Sequence, residues 1–131
     1  MAKKVTTLTP EGVMAPIGPY SHIAKSGNFI AISAIAGVDP ATGELVGVDI
    51  ESQTRQIMES LGLLLCAADS DFSRVLHINV HLKNMSDFDR MNLVYSNYLD
   101  DIRPARTVIA VSDVPKQGAL LTMNLTAVSA G

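Results

Sequence analysis

The stretch IESQTRQIMESLGLLLCAADSDFSRVLHINVHLK (50–83) decides the fold, because its hydrophobic period changes from that of a helix to that of a strand. Its first part repeats apolar residues at the spacing of one buried helical stripe: Ile57, Leu61, Leu64, Leu65 and Ala68. With Asp49 as a suitable N-cap, this pattern predicts a helix over about 50–68. Over 75–83 the period becomes two, which predicts a strand with Leu76, Ile78, Val80 and Leu82 on one face and His77, Asn79, His81 and Lys83 on the other.

Shorter patterns on both sides complete the predicted order of elements. Three strands are predicted before the helix, over 4–8, 22–25 and 29–35, and two near the end of the chain, over 105–111 and 119–127. A second helix is predicted from Asp87 to about Leu99, with a capping box formed by Ser86 and Asp89. Its apolar stripe is Phe88, Met91, Tyr95 and Tyr98. The order predicts an α+β fold in which two helices pack on one face of a mixed β-sheet.

Composition narrows the class of protein. The 131 residues suit a single domain over 1–131, and 47% hydrophobic residues are enough for a core. The net charge of −3 and the lack of a basic patch argue against a nucleic-acid partner. The longest apolar run, 61–68, is far below the ~20 residues that span a bilayer. No secretory signal is visible and the one cysteine fits a reducing compartment, so a cytoplasmic protein without membrane contact is expected.

Few residues suggest chemistry by their spacing alone. His77 and His81 are four apart, but four strand residues span ~13 Å, so these two rings cannot share one metal ion. Cys66 lies beside the helical stripe and is expected to be a buried small hydrophobe. The semi-polar second face of the sheet, with Asn124 and Thr126, is expected to be covered by neighbouring subunits.

Arg106 is the strongest candidate for ligand binding. It starts a strand directly after the bend at Pro104, and its planar fork of N–H donors matches a carboxylate. The structural alternative is a salt bridge to Asp100 or Asp101, which residue type alone favours.

Six segments distributed over nearly the whole chain form one pattern: APIGPYSH (15–22), FIAISAIAGVDPATGE (29–44), IESQTRQIMESLG (50–62), VHLKNMSDFDRMNLVYSNYL (80–99), RPARTVIAV (103–111) and VPKQGALLTMNLTAV (114–128). Together they resemble the Rid family, also called the YjgF or reactive intermediate deaminase family. The segment RPAR, which follows a helix ending in Y-x-x-Y-L, is the most specific of them.

The resemblance implies a chorismate-mutase-like fold in a homotrimer, with a β-barrel at the trimer centre and the helices outside. It implies hydrolysis of reactive enamines and imines of small amino acids to 2-keto acids and ammonia, with no cofactor and no metal. The ligand would lie in clefts between subunits, where Arg106 is the catalytic residue that binds the substrate carboxylate. Tyr20 and Ser33 match further substrate-binding positions, and Asn92 matches a recurrent position interpreted as structural.

One departure from the family pattern bears on catalysis. Active members carry a Glu on the last strand that positions or activates water, and the alignment places Thr122 there. Loss of such a group typically costs ~10²–10⁴ in rate. Two readings stay open: a deaminase, weakly active, with Thr122 in the substrate site, or a non-catalytic small-carboxylate-binding or regulatory protein that uses the same cleft. A ribonuclease role, attached to some members, fits the acidic chain poorly.

Overall fold

The computed structural model describes residues 4–131 and has the predicted order of three strands, a helix, a strand, a helix and two strands. Residues 1–3 of the predicted domain range lie outside the described residues. The strands are β1 (Thr6–Leu8), β2 (Ile23–Ser26), β3 (Phe29–Ile35), β4 (Val75–Leu82), β5 (Ala105–Ala110) and β6 (Leu121–Val128). The helices are α1 (Ile50–Ala67) and α2 (Phe88–Leu99), and single 3₁₀ turns precede β4 and α2.

One six-stranded mixed sheet has the order β1-β2-β3-β6-β4-β5. All neighbouring strands are antiparallel except β4 and β5, which run parallel because α2 forms the crossover between them. The last strand therefore lies at the centre, between β3 and β4. The predicted α+β architecture with a mixed sheet and two helices is confirmed.

The hydrophobic core lies between the helices and one face of this sheet. The side chain of Asp49 accepts a hydrogen bond from the Ser52 N–H at 2.9 Å, so the predicted N-cap of α1 is confirmed. The buried stripe of α1 packs against alternate side chains of the central strands; fully buried members are Ile57, Leu61, Leu64, Leu65, Ile78, Val80, Leu82, Leu121 and Met123. We call this the helix face of the sheet.

The other face of the sheet, which we call the open face, carries small and polar side chains apart from the exposed ring of Phe29. Its residues on the three strands β3, β6 and β4 include Phe29, Ala31, Asn124, Thr126, His77, Asn79 and His81, and each is exposed or half-buried in the single chain. His77 and His81 lie on the same face, each bonded to a threonine rather than to each other: Thr107 at 3.0 Å and Thr122 at 3.2 Å. Within residues 4–131, no group of His, Cys, Asp or Glu could hold a metal ion.

Three local predictions were wrong. The side chain of Leu76 is 45% exposed, because a register shift between Val75 and His77 inserts one extra residue and restarts the alternation of β4. Cys66 is exposed, since it lies just outside the buried stripe of α1. The predicted capping box is absent: Asp87 occupies the cap without a side-chain cap bond and pairs instead with Arg90 at 2.8 Å.

A buried glutamine links α1 to the centre of the sheet. The side chain of Gln53 donates to the Gly47 carbonyl at 2.9 Å and accepts from the Leu120 N–H at 2.8 Å. Gly37 lies so close that a Cβ atom there would come within 2.6 Å of the Gln53 carbonyl oxygen. This contact positions the segment after β3, which lines the first of the two pockets described next.

Candidate functional site

A pocket of about 330 Å³ lies where β3 ends and β6 begins. It is lined by the predicted residues Tyr20, Ser33 and Thr122. Other residues that line it include Met14, Ala34, Ile35, Ala36 and Lys116. The structure thus brings three of the four predicted site residues into one cavity, which we call the Ser33 pocket. The residues that line it include no carboxylate.

Each predicted side chain in the Ser33 pocket is held by a hydrogen bond. The hydroxyl oxygen of Tyr20 accepts from the Ile17 N–H at 3.3 Å, which closes the constrained PIGPY loop. The Thr122 hydroxyl pairs with His81 Nδ1 across the β4–β6 ladder. The side chain of Ser33 is bonded to His22 at 2.9 Å.

His22 is a pocket residue that sequence reasoning missed. Its side chain is 1% exposed, and its Nε2 lies 2.7 Å from the Met14 carbonyl oxygen. The Tyr20 ring packs edge-on against it, with the ring centroids 5.7 Å apart. The signal in the sequence was a histidine two residues after the PIGPY loop, whereas the two histidines of β4 attracted attention by their spacing.

Arg106 lies in a second pocket, of about 340 Å³, between β5 and the end of α2. Its Nη1 donates to the Asn92 side-chain oxygen at 2.7 Å, and its guanidinium carbon lies 4.7 Å from the centre of the Tyr95 ring. Burial raises the pKa of the Tyr95 phenol above its ordinary value, although the charge of Arg106 acts in the opposite direction. We call this cavity the Arg106 pocket.

The alternative role of Arg106, a salt bridge to Asp100 or Asp101, does not occur within residues 4–131. The ion pairs there join Arg74 to Asp71, Lys83 to Asp113 and Arg90 to Asp87, and none includes Arg106. Arg106 is half-buried, and only one of its five N–H donors is used by Asn92. The remaining donors are able to bind a planar anion.

The two pockets do not form one site within a single chain. Arg106 pairs with Ile78 and therefore lies on the helix face, whereas Thr122 pairs with His81 on the open face. The strands β5 and β6 are also separated by β4, which places them about 10 Å apart. A small ligand that contacts both Arg106 and the Ser33 pocket would have to lie between two chains.

Comparisons with known proteins agree on one family. The family profile described as Endoribonuclease L-PSP matches residues 11–129. A RutC family protein of Pyrococcus horikoshii is 44% identical over 106 residues, which cover 81% of this chain and 84% of that protein. A mouse protein named 2-iminobutanoate/2-iminopropanoate deaminase is 36% identical over 102 residues, covering 78% of this chain and 76% of its own.

Solved structures give the same result. The crystal structure of RidA from the Antarctic bacterium Psychrobacter sp. superposes with a TM-score of 0.89 at 30% identity, covering 94% of this chain and 98% of that one. Within residues 4–131, no helix combines the length and the hydropathy that a membrane span requires. The match over nearly the whole length, in sequence and in fold, means that the chain belongs to the Endoribonuclease L-PSP family, which is the family of the YjgF and Rid proteins.

Proposed function

We propose that this protein hydrolyses reactive imines and enamines of small amino acids to 2-keto acids and ammonia, without a cofactor. The single observation that carries the proposal is Arg106, whose guanidinium is oriented by Asn92 and Tyr95 and keeps donors free for a carboxylate. The relative named 2-iminobutanoate/2-iminopropanoate deaminase supports the choice of substrate class.

The proposed site contains residues of two subunits of a homotrimer. One subunit would contribute Arg106, and its neighbour would contribute Tyr20, Ser33 and Thr122. The opposite orientation of the two pockets supports this arrangement, because no single chain can present both to one small molecule. The open face, with its small and polar side chains, would pack against the same face of the other subunits at the trimer centre.

The substrate chemistry follows from these contacts. The carboxylate would bind the planar fork of Arg106, and the C=N carbon would then lie over the hydroxyls of Ser33 and Thr122. Holding the substrate in one orientation beside a water molecule lowers the entropic part of the barrier. The apolar lining around Met14 and Ala34 would accept a short aliphatic side chain.

A second function uses the same residues without turnover. The lining of the Ser33 pocket contains no carboxylate, so the base that the family ordinarily supplies is not at the position of Thr122. The same cleft would then bind a small 2-keto acid as a sensor or regulator. One assay separates the two functions: release of ammonia and 2-oxobutanoate from freshly generated 2-iminobutanoate, with and without protein. Acceleration that Arg106→Ala removes supports the deaminase, whereas binding of 2-oxobutanoate with no acceleration supports the binding protein.

Subunit complementation tests the shared site. Arg106→Ala and Ser33→Ala subunits, each inactive alone, are mixed, unfolded and refolded together. If each site uses Ser33 of one subunit and Arg106 of the next, random assembly restores about a quarter of the wild-type sites. Mixed refolding that restores nothing, from variants that assemble normally, would contradict a site built by two subunits.

A further inference from the structure

His22 is a buried, chemically capable group that the proposed function has not used. It is 1% exposed, yet it reaches the Ser33 pocket through the hydroxyl of Ser33. Its backbone is held as well, because its N–H donates to the Thr9 hydroxyl at 3.3 Å and its carbonyl accepts from the Ser33 N–H at 2.9 Å. The imidazole therefore has one position relative to the pocket.

The hydrogen-bond partners determine where the proton of His22 lies. The Met14 carbonyl oxygen can only accept, so Nε2, at 2.7 Å from it, carries the hydrogen. In this tautomer Nδ1 carries a lone pair and accepts the hydroxyl proton of Ser33 at 2.9 Å.

This arrangement determines what Ser33 offers to a ligand. Its only hydroxyl proton is donated to His22, so the oxygen presents lone pairs to the pocket. A water molecule or an N–H group in the pocket can then donate to Ser33. When the Ser33 oxygen accepts a proton, its own hydroxyl proton can pass to His22 Nδ1.

We infer that Ser33 and His22 form a proton relay that supplies the general base at this site, in place of the carboxylate that Thr122 cannot provide. The inference rests on the proposed function, which it deepens. The other titratable side chains that line the pocket in the described residues are Tyr20 and Lys116. The Tyr20 oxygen is engaged by the Ile17 N–H, and a lysine ammonium has no lone pair to accept a proton.

Over one turnover of imine hydrolysis, every proton that the relay takes up is given back. Water attacks the C=N carbon, a C–O bond forms, and the π electrons of C=N move to nitrogen, which takes a proton from solvent. The water proton passes to the Ser33 oxygen as the Ser33 proton passes to His22 Nδ1. The one proton on His22 then returns through Ser33 to the amine nitrogen, and the C–N bond breaks as ammonia leaves. The hydroxyl oxygen forms the carbonyl and releases its proton to solvent, which replaces the proton that nitrogen took. Both residues end as they began.

His22→Gln is the variant that best separates the positioning of Ser33 from proton uptake by His22. A glutamine amide can still donate to Met14 and accept from Ser33, so it preserves the positioning of Ser33 but cannot take up a proton. The kcat for 2-iminobutanoate should fall by ~10²–10⁴ with KM little changed. His77→Gln makes the same substitution on the open face outside the pocket, and with the assembly shown intact by sedimentation it should leave kcat unchanged. Full activity of His22→Gln would overturn the relay, and so would loss of kcat in His81→Gln alone, because the proton would then travel through Thr122.

The tautomer of His22 gives a readout that does not depend on activity. In ¹⁵N-histidine-labelled wild-type protein, NMR should show His22 with a protonated Nε2 and an unprotonated Nδ1. Ser33→Ala should shift the Nδ1 resonance and leave Nε2 bonded. A protonated Nδ1 overturns the relay while the proposed function stands. A wild-type protein that does not accelerate imine hydrolysis contradicts the proposed function, and with it the catalytic use of the relay, even where the tautomer is as inferred.

Discussion

Asn92 on α2 accepts a 2.7 Å hydrogen bond from Arg106 on β5, and this bond orients the guanidinium at the edge of the sheet. The guanidinium also lies over the Tyr95 ring, one turn of α2 further along. The helix thus supplies an acceptor and an aromatic face, and both restrict the arginine side chain before any ligand arrives.

Removal of the guanidinium should weaken binding of 2-oxobutanoate. Arg106→Ala is expected to lower affinity by about 10- to 100-fold, the usual value of a charge-assisted hydrogen bond. Lysine should rescue poorly, because one ammonium cannot form two parallel bonds. Isothermal titration calorimetry measures both, with Arg74→Ala as the control for loss of a positive charge elsewhere. Equal affinities for wild type and Arg106→Ala would refute the role.

The orientation of Arg106 is testable separately. Asn92→Ala leaves the charge in place but removes its acceptor, so the affinity for 2-oxobutanoate should fall by about fivefold, the value of one ordinary hydrogen bond. Asn92→Asp should bind still less ligand, because its carboxylate would occupy the guanidinium in place of the substrate. Tight binding by Asn92→Asp would show that the ligand does not use Arg106.

A carboxylate at Thr122 should raise imine hydrolysis if this position faces the reacting carbon. Thr122→Glu is expected to increase kcat, with the general-base range of ~10²–10⁴ as the upper limit. Thr122→Gln is the matched control, since it has nearly the same shape and hydrogen-bonding capacity but no basicity. A Glu variant that folds and assembles yet equals the Gln variant would indicate that the cleft is built for binding alone.

The protein should be a trimer whose subunits meet through the open face. Asn124 lies at the middle of this face, directly opposite Asn79. Asn124→Lys should therefore convert the trimer to a monomer of 13.9 kDa in sedimentation equilibrium, because three like charges would be buried together. Leu93 on α2 is 67% exposed, and the Leu93→Lys variant should remain trimeric. A wild-type monomer at micromolar concentration would contradict the assembly.

The contact between the two helices should weaken at high pH. The Tyr98 hydroxyl donates to Glu59 at 2.7 Å, and burial, followed by this bond and the charge of Glu59, raises the pKa of Tyr98 from 10.0 to about 12. Because the folded state holds this proton more tightly, the stabilisation is complete below pH 10 and is lost as the pH rises towards 12. Because burial also raises the pKa of Tyr95, absorbance at alkaline pH should show two late-titrating tyrosines, of which Tyr98→Phe removes the one near pH 12. Glu59→Gln should lower the pKa of Tyr98. A titration curve near pH 12 that Tyr98→Phe leaves unchanged would contradict the contact.

Two glycines should respond oppositely to alanine. At Gly37 a Cβ would overlap the backbone of Gln53, so Gly37→Ala should destabilise the protein by about 1–3 kcal/mol. At Gly62 the Cβ would meet the Phe72 ring at 3.4 Å, an ordinary contact, and Gly62→Ala should stabilise α1 by about 0.5–1 kcal/mol. Chemical denaturation measures both differences. A neutral Gly37→Ala would mean that the segment after β3 moves freely away from α1.

Local patterns in the sequence predict the helices and strands well. They fail where the burial of a side chain depends on how two strands pair. The stripe of α1 and its cap at Asp49 are properties of neighbouring residues, and both are confirmed. The exposure of Leu76 results from a shifted register against β6, a strand some fifty residues away in the chain, which alternation within β4 cannot reveal.

The site shows the same limit. Sequence proximity suggested Asp100 or Asp101 as partners of Arg106, but the crossover from β4 through α2 to β5 brings Asn92 to it instead. His22 was overlooked because its two partners, Met14 and Ser33, come from separate segments that meet only in the folded chain. Residue type and position indicated Arg106, and the family resemblance added Tyr20, Ser33 and Thr122. The division of these residues between two pockets became visible only in three dimensions.

The central place of β6 has a consequence for how the chain folds during synthesis. Phe29 pairs with Val128, so the contact that joins the β2–β3 hairpin to the rest of the sheet spans about three quarters of the described chain. Until β6 leaves the ribosome, β3 and β4 each expose an unpaired edge, and such edges promote aggregation. Folding dominated by pairings this distant in sequence is expected to be slow. A nascent chain stalled before residue 121 would therefore be a target for chaperones, and the synthesis of β6 would be the step that commits the protein to its native sheet.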